Sequence, residues 1–176
     1  MRPLTEHFSL EEMTVTQQRG MNNTPLLSVV SNLYKTAQFM EQVRLMLGHP
    51  IIITSGYRSP LVNKAVGGAT NSDHMNGLAC DFICPKFGSP LEICRVIQRS
   101  GLKYDQLIME GTWVHVGLGH RMRQQTMGVP SEDTPRPVDG GQGELDVGTA
   151  ADRLRDRLFN SRWFTNLRRG GKWQGI

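Results

Sequence analysis

The sequence predicts an α+β fold: a small, mostly antiparallel sheet with flanking helices, followed by a C-terminal helical tail. Three observations predict it. One long run has apolar residues at helical spacing (Val30, Leu33, Tyr34, Ala37, Met40, Val43 and Leu47). Short apolar or alternating stretches gather after it, at 51–54, 78–83, 106–109 and 114–118. A single capped helix, opened by Ser89-Pro90-Leu91-Glu92, separates the second of these stretches from the third. Helices first, then short strands around one crossing helix, is the α+β order.

Taken in order, Ser9 with Glu12 forms a capping box that opens a short helix to about Met13. The main helix is expected over 28–47, with Gly48 as its stop. The strand at 51–54 delivers Gly56-Tyr57-Arg58 to its end. Pro60 to Val66 reads as a helical turn ended by Gly67-Gly68, and 68–76 as a loop carrying His74. The strand at 78–83 puts Ala79 and Asp81 on one face and Cys80 and Phe82 on the other. The helix after Ser89 runs to Ser100 and stops at Gly101. In the last strand Trp113, His115 and Gly117 share a face.

The 176 residues suffice for one domain with its own core. Mean hydropathy is −0.36, and no run of about 18 apolar residues is present, so no membrane span is expected. Net charge is +4, unevenly placed. Residues 1–120 carry ten basic and nine acidic side chains, and 151–176 carry seven basic and two acidic. The chain is therefore divided into a main domain over 1–120, a linker over 121–148 and a basic amphipathic helix or tail over 149–176. The linker contains the Gly-, Pro- and acid-rich stretch 127–143. The tail sets Ala151, Leu154, Leu158 and Phe159 against arginines. Such a tail suits an anionic polymer, a protein partner or a membrane surface, or else packs on the domain or a second copy. No nucleic-acid reading motif accompanies the charge. Cys80, Cys84 and Cys94, odd in number and without a secretory leader, are expected as buried free thiols.

The chemistry concentrates in Ser72-Asp73-His74-Met75-Asn76-Gly77-Leu78-Ala79-Cys80-Asp81 and Glu110-Gly111-Thr112-Trp113-Val114-His115. Two imidazoles and a carboxylate (His74, Asp81 and His115) make a three-ligand set for one zinc ion that leaves a fourth position open for water. His7, His49 and His120 lack that register. If the two strands are neighbours, Asp81 and His115 converge and His74 reaches in from the loop. Glu110 is placed to handle protons on the water.

The pattern Ser72-x-His74-x-x-Gly77-x-Ala79-x-Asp81 with a later Trp113-x-His115 resembles the zinc D-Ala-D-Ala metallopeptidases, whose fold is shared by hedgehog signalling domains. Ser55-Gly56-Tyr57-Arg58-Ser59-Pro60 resembles the segment supplying that family's substrate-facing arginine. Phe8-Ser9-Leu10-Glu11-Glu12 and Asn22-Asn23-Thr24-Pro25 resemble the opening of its short, phage-type branch. The resemblance spans roughly residues 5–119. It implies a zinc peptidase of the peptidoglycan stem, either an L-alanyl-D-glutamate endopeptidase or a D-Ala-D-Ala carboxypeptidase. In that reading Glu110 is general base and then acid, and Arg58 binds a substrate carboxylate or the developing oxyanion. Ser72 contacts substrate or orients the loop, Tyr57 and Trp113 form substrate-contacting cleft walls or pack in the core, and Asp73 backs His74 or is a solvated loop acid. The chain departs from many members in one respect: Glu110 precedes His115 by five residues rather than three, so a strand end or bulge at Gly111 is expected to bring the carboxylate back to the site. The resemblance implies a phage enzyme; with no apolar signal core at its N-terminus it is expected in a virion, or in the host cytoplasm with later release to the wall, and the tail over 149–176 is then expected to meet virion tail proteins or anionic wall polymers. The alternative is a non-catalytic, zinc-stabilised virion module of the same fold.

Overall fold

The computed structural model describes residues 2–130. The tail expected over 149–176 and the linker beyond 130 lie outside the described residues. Among the described residues, no helix is long and apolar enough to cross a membrane.

Helix α1 (Leu27–Leu47) ends at Gly48 in a left-handed cap, as its sequence spacing indicates. Its buried stripe is wider than expected, because Thr36, Phe39 and Met46 join Leu33, Ala37, Met40, Val43 and Leu47. Tyr34 instead stands exposed. Strand β1 (Ile52–Ser55) and helix α2 (Pro60–Ala65) follow, the latter capped by the Ser59 side chain. Then come β2 (Ala79–Ile83), α3 (Pro90–Ser100), β3 (Gln106–Glu110) and β4 (Trp113–Gly117). Both capping boxes form. Ser9 with Glu12 opens a single 3-10 turn over Glu12–Thr14, and Ser89 with Glu92 opens α3.

A fifth strand, β5 (Gln125–Met127), was not anticipated. It runs parallel beside β3 and completes a sheet of order β1-β2-β4-β3-β5 whose other pairs are antiparallel. Residues 125–127, which fall within the expected linker, thus belong to the sheet. The three residues Gln125-Thr126-Met127 are too few to show hydrophobic alternation, so only pairing with β3 reveals the strand.

The sheet has two chemically opposite faces. Ile53, Cys80, Phe82, Leu107, Val114 and Val116 are buried on one, where α3 packs across β3 and β4 and also meets α1. Burying each such side chain contributes about 1.5–3 kcal/mol. The three cysteines are free and buried, and Cys80 lies on this face, away from Asp81. The opposite face carries Asp81, His115 and Glu110. A register irregularity between Ile53 and Ser55 pairs Ser55 with Asp81, which turns its hydroxyl to the polar face.

Candidate metal centre and cleft

Antiparallel pairing puts Asp81 directly opposite His115, and His115 opposite Ile108. Parity then sends Ala79, Asp81, Trp113, His115, Gln106 and Glu110 to one face. Ala79 and Gly117 are paired beside Asp81 and His115, which leaves room there.

His74 reaches this face from a 3-10 turn over Asp73–Asn76, within the segment expected as loop. The turn is held from three sides. The Ser72 hydroxyl accepts from the His74 amide, and Gly77 closes it in the left-handed region at φ +68. From α1, the Thr36 hydroxyl donates to the Gly77 carbonyl at 2.8 Å and the Asn32 amide to the Asn76 carbonyl at 3.0 Å. The Gly56-Tyr57-Arg58 segment is tied alongside: the Arg58 amide donates to the His74 carbonyl. Asn23 clamps that segment by donating to the Tyr57 carbonyl at 2.9 Å and accepting from the Ser59 amide at 2.7 Å.

The His74 ring is oriented by its own bond. Its Nδ1 lies 2.6 Å from the Gly56 carbonyl oxygen. A carbonyl only accepts, so Nδ1 carries the proton and Nε2 presents its lone pair to the site. The backing group is therefore this carbonyl rather than Asp73, whose carboxylate lies against Gly119. His74 Nε2, His115 Nδ1 and Asp81 Oδ1 form a tight triangle. His74 Nε2 lies 3.2 Å from each of the others, and His115 Nδ1 is 2.8 Å from Asp81 Oδ1. Zinc bonds of about 2.0–2.2 Å in a tetrahedral set require donors roughly 3.3–3.5 Å apart, so small outward shifts suit the three to one ion. His74 and Asp81 are buried, and His115 is half-buried.

Burial alone would raise the Asp81 carboxyl. The hydrogen bonds and charges of His115 and His74 outweigh it and hold the group ionised well below the usual carboxylate range. Arg58 completes its surroundings: the guanidinium donates to Asp81 Oδ2 at 2.5 Å and, through Nε, to the Ser55 hydroxyl at 2.8 Å. An ionised carboxylate whose second oxygen is held by arginine suits a metal ligand.

The triangle opens onto a cleft of about 670 Å³, lined among others by Arg58, Ser72, Asp73, Glu110, Trp113, Arg121 and Arg123. Of the two readings of Tyr57, substrate-contacting wall or core residue, the second holds: it is buried and does not line the cleft. Glu110 pairs with Trp113 at the end of the β3–β4 hairpin, in unbroken register. No bulge intervenes. The reversal is the two-residue loop Gly111-Thr112, with Gly111 at φ +66, the sign that the first position of a II′ hairpin turn requires. The sequence reading missed Gln106, Arg121 and Arg123 as cleft residues. The alternation of arginines at 121 and 123 was a signal, hidden because the stretch reads as linker.

No curated protein matches the chain. Residues 6–117 match the family Peptidase M15, and with the His74, Asp81 and His115 donors gathered at a cleft on that segment, the chain belongs to this peptidase family.

Proposed function

We propose that this chain is a zinc-dependent hydrolase of the peptidoglycan stem peptide. An L-alanyl-D-glutamate endopeptidase is the first choice and a D-Ala-D-Ala carboxypeptidase the second. The observation that carries the proposal is the meeting of His74 Nε2, Asp81 Oδ1 and His115 Nδ1 within hydrogen-bond distance at the cleft that Glu110 also lines. The resemblance of 8–12 and 22–25 to the short phage-type branch favours the endopeptidase and a phage origin, with delivery in a virion or release from the host cytoplasm.

Bound zinc would act as a Lewis acid on the scissile carbonyl and lower the pKa of water beside it. The protein's own groups do the rest. Glu110 removes a proton from the attacking water and returns it to the leaving amine. The Gly56 carbonyl keeps His74 in the tautomer that offers Nε2. Arg58 holds Asp81 in place and lends positive charge near the developing oxyanion. Ser72 fixes the turn that carries His74, and Trp113 gives the substrate an apolar wall.

Digestion of defined muropeptides, read by mass spectrometry with and without chelator, tests the proposal. The expected result is cleavage of one stem bond that stops on chelation and returns with zinc. A protein that binds zinc yet releases no product would instead be the non-catalytic virion module.

A further inference from the structure

We propose that Arg121 is the carboxylate-reading residue of this cleft, a specificity determinant beyond the family match, which ends at residue 117. The inference rests on the peptidase reading above and names the substrate feature that the site selects: a free carboxylate on an acidic peptide.

Three arginines line the cleft, and two are engaged. Arg58 holds Asp81 and Ser55. Arg123 lays its guanidinium along the buried Asp105 carboxylate, Nε to Oδ1 at 2.9 Å and a terminal nitrogen to Oδ2 at 2.6 Å. Arg121 is exposed, and among the described residues it makes no hydrogen bond or ion pair. Its planar donors are therefore available for a paired-oxygen group.

The backbone at the root of this side chain is fixed. The Met122 amide donates to the Gly119 carbonyl, closing a turn. The Arg123 amide donates to Asp105 Oδ1 at 2.9 Å. Gln124 donates its amide to the Tyr104 carbonyl at 3.1 Å and accepts from the Tyr104 amide at 2.6 Å through its side chain. Met122 and Gln124 sit in the left-handed region at φ 45 and φ 54. Non-glycine residues stay there only where the surroundings over-determine them, and such strain gathers at binding sites. Gly119 lies between two carboxylates: a Cβ there would come 2.5 Å from Asp73 Oδ2 and 3.1 Å from Asp105 Oδ2. A fixed root with an uncommitted guanidinium is a preorganised anion contact.

Two carboxylates of a stem peptide fit this chemistry, that of the glutamyl residue and that at the chain end. The test uses the full-length, zinc-loaded protein on four stem peptides, with each carboxylate free or amidated. One amidation is expected to raise KM about tenfold with kcat little changed, and it identifies the carboxylate read. Arg121→Gln should raise KM on the free acid by roughly the same factor and abolish the acid preference, and Arg121→Lys should restore part of it. Cleavage in which Arg121→Gln keeps both the KM and the acid-to-amide ratio overturns the proposal. If no peptide is cut, the hydrolase reading has failed instead. Calorimetric titration of the same peptides into both proteins then decides: binding about tenfold weaker in Arg121→Gln supports the proposal, and equal or undetectable binding overturns it.

Discussion

Glu110 and Arg58 are the two residues whose roles depend most on geometry. Glu110 sits at the last position of β3, across the hairpin from Trp113, on the face that carries His115. Glu110→Gln keeps the size and removes the proton exchange, so kcat is expected to fall about 100- to 10,000-fold, with zinc content unchanged by elemental analysis. Full turnover in that variant would remove the assigned role. Arg58 separates a positioning role from a substrate role. Because it bonds to Asp81 and Ser55, Arg58→Gln is expected to weaken zinc binding about 10- to 100-fold in chelator competition. Unchanged zinc affinity with a raised KM would return Arg58 to the substrate.

At the scale of elements, the site depends on helix α1 holding the turn that bears His74. A Cβ at Gly77 would lie 2.9 Å from Val29 Cγ1 and 3.0 Å from Leu33 Cγ, both on α1, and the residue occupies the left-handed region. Gly77→Ala is expected to destabilise the protein by about 2 kcal/mol in urea unfolding and to weaken zinc binding, since His74 moves with the turn. An unaltered unfolding midpoint would show that the α1 contact yields freely. Most elements were legible at this scale, because capping boxes, glycine stops and 3.6-residue spacing are local signals. The 3-10 turn at Asp73–Asn76 and strand β5 were not. The first is stabilised by donors from α1, distant in sequence, and the second by the edge of β3.

For the whole molecule, the Asp105–Arg123 pair joins the entry to β3 with the segment that leads into β5. Hydrogen bonds from the Arg123 side chain, ahead of the opposing effect of burial, hold the Asp105 carboxyl down to about 2. A depressed carboxyl contributes stability that is fully present above its unfolded value of about 4 and is lost as pH falls toward 2. The stability gap between the wild type and Asp105→Asn is therefore expected to be constant above about pH 4.5 and to narrow between pH 4 and pH 2, in denaturant unfolding at stepped pH. A gap that does not vary with pH would mean that the pair contributes through packing alone. The sequence by itself determined the α+β class, the order of the main elements, the donor set His74, Asp81 and His115 that could hold a metal, and the buried cysteines, because side-chain parity and donor chemistry are local properties of residue type and spacing. Only the tertiary structure decided that Asp81 faces His115 in register, that a carbonyl from Gly56 orients His74, that Arg58 is bound to Asp81, and that Arg121 and Arg123 line the cleft, because each rests on contacts between segments far apart in the chain.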